Sequence, residues 1–216
     1  MKEPVKTGIM GGTFNPIHMG HLMIGECAFE QFGLDQVMFM PSKIPPHKKQ
    51  ALLASEDDRR NMVELAIEDN PDFVLSTMEL EREGTTYSVD TLKELTAQNR
   101  NRKYYFILGA DSLFDLPMWK EPEKLLSMAT ILVASRHGME EARLLEQIEW
   151  LKQKYGGEFF IVTVPTIDIS SSQIRDKIEK QESIRYYVTD GVRNYIEEKG
   201  LYQKNREGDR CGQPAD

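Results

Sequence analysis

The chain has 216 residues, of which 40% are hydrophobic, and this length and composition suit a single domain with a sizeable core. Its formal net charge of −8 argues against a nucleic-acid partner and favours a small-molecule ligand. No apolar run approaches the ~20 residues of a membrane-spanning helix, and the first residues show no leader pattern, so we expect a cytoplasmic protein with no membrane partner.

Apolar, β-branched and aromatic runs alternate with helical patterns along the chain. This alternation predicts an α/β fold with a doubly wound parallel sheet and helices on both faces. The strands are expected at residues 5–10, 37–40, 73–78, 104–108, 131–134 and 159–164, and the main helices at 21–32, 57–68, 89–96, 121–128 and 140–154. Residues 1–202 should form one domain, and residues 203–216, which lose apolar periodicity, should form a disordered tail.

The loop after the first predicted strand has the composition of a phosphate site. Residues 11–21 read Gly-Gly-Thr-Phe-Asn-Pro-Ile-His-Met-Gly-His. Two glycines let the backbone approach a ligand, and the following helix start offers N–H groups and a positive dipole end to an anion. His18 and His21 share one helix face, and Gly20 leaves room beside them. Such junctions also occur for purely structural reasons, so this loop alone leaves both interpretations open.

A second pattern of this kind follows the last predicted strand. Ser170, Ser171 and Ser172 supply a helix cap with hydroxyl and N–H donors, and Arg175 adds a fixed charge one turn later. Taken alone, the segment is equally consistent with an ordinary serine cap beside a surface arginine. In an open α/β sheet, however, ligands bind at the carboxyl ends of the strands, which is where both segments fall.

The two segments together resemble the nucleotidyltransferase superfamily. Residues 13–21 match its Ser/Thr-x-Asp/Asn-Pro-x-His-x-Gly-His signature, and residues 169–175 match its Ile-Ser-Ser-Ser/Thr-x-Ile/Leu-Arg segment. Over residues 5–202 the chain resembles the bacterial nicotinate-nucleotide adenylyltransferases of that superfamily. The resemblance implies a Rossmann-like fold and transfer of the adenylyl group of ATP to nicotinate mononucleotide in NAD biosynthesis, with release of pyrophosphate. Nicotinamide mononucleotide or another phosphorylated acceptor, or a non-catalytic nucleotide sensor, remain alternatives.

The resemblance also implies roles for individual residues. His18, His21 and Arg175 would be catalytic. The implied ATP-binding residues are Gly11, Gly12, Thr13, Phe14, His18, His21, Lys48, Gly109, Asp111, Ile169, Ser170, Ser171, Ser172 and Arg175. The implied residues for nicotinate mononucleotide are Asn15, Thr85, Thr86, Asp111, Trp119 and Arg136. Many family members have Asp where this chain has Asn15, which leaves the role of that position open.

For several of these residues the sequence is also consistent with a purely structural role. Lys48 belongs to a proline-stiffened basic loop that is either solvated or next to the ATP phosphates, and residues 43–54 are a candidate lid. Asp111 either binds ribose hydroxyls or caps a helix. Trp119 either stacks on a pyridine ring or packs in the core. Thr85 and Thr86 either hold the pyridine carboxylate or form a plain turn.

No metal site is predicted within the protein. The loops at the ligand edge offer no clustered carboxylates, and Mg²⁺ commonly keeps substrate phosphates and water as ligands. We therefore expect Mg²⁺ to be carried mainly by the ATP phosphates. The oligomeric state is left open, with a homo-oligomer as one option.

Overall fold

The computed structural model describes residues 3–43, 53–136 and 141–203, and within them six parallel strands form one sheet in the order β3-β2-β1-β4-β5-β6. The chain builds outwards from β1 to β3 on one side and from β4 to β6 on the other, so the strand order reverses between β1 and β4. The strands are β1 (Val5–Gly12), β2 (Gln36–Pro41), β3 (Phe73–Leu75), β4 (Arg102–Gly109), β5 (Ala129–Arg136) and β6 (Phe159–Val164). The predicted doubly wound α/β fold is confirmed.

Helices cover both faces of this sheet. They are α1 (Met19–Phe32), α2 (Glu56–Ile67), α3 (Met78–Glu81), α4 (Ser88–Gln98), α5 (Ala110–Asp115), α6 (Pro122–Met128), α7 (Glu141–Tyr155), α8 (Ser171–Glu179) and α9 (Asp190–Lys199). Ile9 and Met10 are neighbours in β1 but belong to different hydrophobic clusters, because successive strand residues face opposite sides of a sheet. None of the helices described is long and apolar enough to cross a membrane.

The prediction of a third strand over residues 73–78 was wrong at its end. β3 stops at Leu75, and the short helix α3 begins at Met78. The strand lies at an edge of the sheet and pairs only with β2, and the Thr77 hydroxyl donates to the Glu81 carboxylate within the first helical turn. Thr85 and Thr86 therefore follow a helix and not a strand.

Helix α8 begins at Ser171, within the serine cap that the sequence indicated, and α9 was not among the predicted helices. The Ser170 hydroxyl accepts from the backbone N–H of Gln173 and caps α8, so the three serines lie at the helix start. Thr189 caps α9 in the same way, and Gly200 ends that helix with a φ of 61°. The expected tail lies, beyond residue 203, outside the described residues.

Candidate active site

A cavity of about 640 Å³ opens at the carboxyl edge of the sheet, beside the point where the strand order reverses. This is where an open α/β sheet binds its ligands. The walls come from α1, α5 and α7 and from the ends of β4, β5 and β6 or the residues just after them. The lining residues are Gly20, Met23, Ile24, Gly109, Ala110, Asp111, Phe114, Asp115, Ala134, Ser135, Arg143, Leu144, Val164, Pro165 and Ile167.

The segment 11–18, here called the phosphate loop, leaves β1 at this edge in a constrained conformation. Phe14 is buried and has a φ of 47°, a left-handed backbone conformation that residues other than glycine rarely adopt. A Cβ at Gly12 would lie 3.1 Å from the Phe14 ring, so a larger residue at this position would push against that ring. The Phe14 ring in turn meets the His21 ring edge-on, with 5.1 Å between centroids. The loop conformation and the position of His21 are therefore linked.

The two histidines stack at the start of α1, with 3.7 Å between their ring centroids. The backbone N–H of His18 donates to Nδ1 of His21 at 3.2 Å. In a neutral imidazole the accepting nitrogen carries no proton, so the proton of His21 sits on Nε2 and that atom is a donor. A Cβ at Gly20 would lie 3.1 Å from Nδ1 of His18, so the glycine makes room for this ring as well as lining the cavity.

The second motif lies directly against the phosphate loop. Nη1 of Arg175 donates to the Asn15 carbonyl at 2.7 Å, and the Ser171 hydroxyl donates to the Pro16 carbonyl at 2.8 Å. Ile169 also comes close, since its carbonyl oxygen lies 3.8 Å from where a Cβ of Gly20 would be. The two segments, 155 residues or more apart, thus form one unit as the sequence suggested.

The Asn15 side chain faces two protein donors. Its Oδ1 accepts from the backbone N–H of Ala54 at 3.0 Å and from the hydroxyl of Tyr202 at 2.8 Å. Burial raises the pKa of the Tyr202 hydroxyl, which keeps it a donor at neutral pH. Asn15 thus fastens the phosphate loop to the last described residues of the chain, and its contact with a substrate stays a prediction.

Three of the residues expected to bind the acceptor, Thr85, Thr86 and Trp119, lie outside the lining of the cavity. Thr85 is exposed and Thr86 half-buried, and the Thr86 side chain hydrogen-bonds to the buried carboxyl of Glu79. Burial raises the pKa of Glu79, while the hydrogen bond from Thr91 opposes that shift. Trp119 is half-buried and meets Phe106 edge-on, at 6.0 Å between centroids.

Comparison with known proteins gives a consistent answer. The cytidylyltransferase-like family model matches residues 9–177. The chain is 44% identical over 197 residues to a Lachnoclostridium phytofermentans protein named “Probable nicotinate-nucleotide adenylyltransferase”, covering 91% of this chain and 98% of the relative. A Geobacillus thermodenitrificans protein of the same name is 40% identical over 211 residues, covering 98% of this chain and 92% of the relative. The chain belongs to the nicotinate-nucleotide adenylyltransferase family.

The fold of this family member is also found in a solved structure. The Plasmodium falciparum nicotinic acid mononucleotide adenylyltransferase complexed with NaAD superposes with a TM-score of 0.73 at 22% identity, covering 91% of this chain and 97% of that chain. At that identity the likeness establishes the shared fold alone.

Some predicted site residues are placed differently or not described. Asp111 lies in the first turn of α5 while Gly109 takes the N-cap position, so Asp111 is exposed at the cavity and does not cap the helix. Ser172 is exposed in the first turn of α8. Lys48 lies outside the described residues, as does the side chain of Arg136, whose backbone ends β5.

Sequence reasoning missed two side chains that contact the phosphate loop, Tyr202, described above, and Arg59. Arg59 of α2 is fully buried, and its guanidinium donates to the carbonyls of Thr13, Ser42 and Lys43 at 2.7–2.8 Å. A signal was available, because the buried face of α2 consists of residues at helical spacing, and Arg59 is the charged residue among them. The buried residues of α2 are Arg59, Met62, Val63 and Ile67.

Proposed function

We propose that this protein transfers the adenylyl group of ATP to nicotinate mononucleotide, forming nicotinate adenine dinucleotide and pyrophosphate. The observation that carries the proposal is the joining of the two motifs, in which Ser171 and Arg175 donate to the carbonyls of the loop that leads to His18 and His21. Imidazole and guanidinium donors then gather at one helix start, which suits a polyphosphate. Membership of the family supports the identity of the acceptor.

The adenosine of ATP is proposed to occupy the 640 Å³ cavity. That volume lies within the usual range for small-molecule sites, and the apolar side chains of Met23, Ile24 and Leu144 offer walls for a purine. The exposed carboxylate of Asp111 would accept from ribose hydroxyls. Gly20 lies in the first turn of α1 and Gly109 ends β4, and both would let the phosphates pass close to the backbone.

The reaction needs no general base, because the attacking group is the 5′-phosphate of the mononucleotide, which is already anionic at pH 7. One of its oxygens forms a bond to the α-phosphorus of ATP, and the bond from that phosphorus to the bridging oxygen of pyrophosphate breaks. Catalysis then rests on in-line positioning and on stabilising the charge that spreads over the oxygens. His21 would donate from Nε2 in the transition state, His18 would contact the ATP phosphates, and Arg175 with the serines of α8 would hold the pyrophosphate.

Mg²⁺ is proposed to enter as part of the ATP substrate. Within the described part of the chain, no three His, Cys, Asp or Glu side chains gather in a group that could hold a metal ion. Phosphate oxygens and water would therefore supply most of its ligands.

The acceptor is proposed to bind next to the cavity, against Trp119 and the segment that carries Thr85 and Thr86. Trp119 would stack on the cationic pyridine ring, and backbone N–H groups near Thr85 and Thr86 would receive its carboxylate. Arg136 would approach the same end of the acceptor. Lys48 would add a charge beside the ATP phosphates.

The test is pyrophosphate release by the full chain with ATP and each of three acceptors: nicotinate mononucleotide, its amide, or phosphopantetheine. We expect the fastest release with nicotinate mononucleotide. A preference for another acceptor would reassign the substrate. No release with any of them would favour a nucleotide sensor.

A further inference from the structure

Arg59 is a buried cation for which the proposed mechanism has no role. Its exposed fraction is 0%, and its three recorded hydrogen bonds all go to backbone carbonyls. Its Nε is buried too and has no hydrogen-bond partner among the described residues. Burial lowers the pKa of Arg59, and the nearby carboxylate of Glu56 opposes that shift, but a guanidinium stays charged in a protein. Burying such a group is costly, so its position calls for a reason.

The first of these bonds sets the orientation of one peptide plane in the phosphate loop. Nη1 of Arg59 donates to the Thr13 carbonyl at 2.8 Å. In a trans peptide the next N–H points the opposite way, so this bond also directs the N–H of Phe14 away from Arg59. Phe14 is the residue with the left-handed backbone, a conformation that persists only where its surroundings impose it. The Phe14 ring then contacts the edge of the His21 ring.

The other two bonds connect the phosphate loop to the acceptor side. Arg59 also donates to the carbonyls of Ser42 and Lys43, at the end of β2. The Lys43 ammonium donates to the Arg82 carbonyl at 2.7 Å, just before the segment that carries Thr85 and Thr86. A planar guanidinium with several donors in a fixed fork can hold three carbonyls at once, whereas a lysine ammonium is a single point on a flexible stem.

We infer that Arg59 is a positioning residue of the nucleotide site, which acts through Thr13 and Phe14 to hold His21 in place. The same guanidinium keeps the phosphate loop in register with the segment that leads to the acceptor residues. This inference rests on the proposed function for its effect on turnover. The placement of the His21 ring, however, can be measured without any turnover.

The experiment compares Arg59→Met and Arg59→Lys with the wild type, in the full chain. Arg102→Met is the control, because Arg102 is a half-buried arginine that donates to the Thr7 side chain but lies at the amino end of β4, the edge of the sheet opposite the site. Each variant is examined for its unfolding midpoint, for kcat and KM with both substrates, and for the NMR signals of the His21 ring, assigned by their loss in His21→Ala.

We expect Arg59→Met to lower kcat by about tenfold to a hundredfold, since a displacement of about 1 Å at a reacting group has effects of that size. Arg59→Lys should recover part of the loss, and the His21 ring signals should shift in Arg59→Met but not in Arg102→Met. In the background of His21→Ala, the Arg59→Met change should cost little more, because a residue that acts through His21 has nothing left to position.

Three results would overturn the inference. One is a lower unfolding midpoint in Arg59→Met with unchanged kcat and unchanged His21 signals. Another is a double variant, His21→Ala with Arg59→Met, whose loss of kcat equals the product of the two single losses. The third is failure of both Arg59 variants to fold, which would assign the residue to folding alone. If the wild type transfers to no acceptor, the proposed function fails, and the His21 signals still decide the case for Arg59.

Discussion

Two separable duties are proposed for His21, and a pair of substitutions can distinguish them. Its Nδ1 accepts from the N–H of His18 at the helix N-cap, and its Nε2 is proposed to donate to a phosphate. His21 occupies the third helical position, where a glutamine side chain would accept from the same N–H. His21→Ala removes both duties. His21→Gln should restore the cap but not the imidazole donor.

The sizes of the two effects follow from the contacts. Loss of the cap costs about 1 kcal/mol, and loss of the edge contact with Phe14 costs about 0.5–1.5 kcal/mol. For a chain of this length the two together should lower the unfolding midpoint of His21→Ala by roughly 3–10 °C. Removal of one preorganised donor to a transition-state oxygen should lower kcat by about 10²–10³, a larger energy than the loss of stability.

The assay is pyrophosphate release at saturating substrates, at a temperature where circular dichroism shows all three proteins folded. His21→Gln should have an unfolding midpoint near that of the wild type while its kcat stays close to that of His21→Ala. Near-normal turnover in His21→Ala would refute the catalytic assignment. Recovery of turnover together with stability in His21→Gln would show that the residue acts only as a helix cap.

Three further predictions address other parts of the site. Trp119→Ala should weaken binding of nicotinate mononucleotide roughly tenfold and leave ATP binding unchanged, as measured by calorimetry. Trp150→Ala, at an exposed tryptophan of α7, is the control. Equal losses of affinity for both ligands would remove the stacking role. Tyr202→Phe removes a partly buried 2.8 Å hydrogen bond and should lower the free energy of unfolding by about 1 kcal/mol. Tyr186→Phe, at a residue that is 83% exposed, should not change it. The raised pKa of Glu79 makes the folded state bind its proton more tightly than the unfolded state, so the free energy of unfolding of the wild type should fall as pH rises above about 4.5. In urea titrations, Glu79→Gln should lack this fall. A difference in unfolding free energy between the wild type and Glu79→Gln that does not vary with pH would contradict the prediction.

Local patterns in the sequence were sufficient for the architecture and for the two motifs. The alternation of buried strands and amphipathic helices predicts a doubly wound sheet, and such a sheet brings all strand ends to one edge. The serines before α8 and the glycines after β1 are local signals of the same kind. The errors fall where contacts that leave no apolar pattern determine where an element begins or ends. β3 ends early because the chain turns into α3 at Met78, where the Thr77 carbonyl accepts from the N–H of Glu81, and apolar periodicity does not report this turn.

The cavity shows a different limit of sequence reasoning. Its lining comes from five separate parts of the chain, and residues such as Phe114 and Arg143 face it from α5 and α7. The Arg143 guanidinium lies 4.8 Å from the centre of the Phe114 ring, a contact between residues with no local pattern in common. A nucleobase is recognised mainly by apolar walls, and apolar side chains near strand ends look the same whether they line a site or fill a core.

The residues that hold the phosphate loop share a feature that explains why one of them was missed. Arg59, Ser171 and Arg175 each donate to a backbone carbonyl of the loop, at Thr13, Pro16 and Asn15. Every residue has a backbone carbonyl, so these hydrogen-bond acceptors cannot be recognised in the sequence. Ser171 and Arg175 could be found because the same groups also suit a phosphate. Among the described residues the Arg59 side chain donates only to carbonyls, and its mark in the sequence is a charge on the buried side of α2, where a cation is costly unless it is hydrogen-bonded.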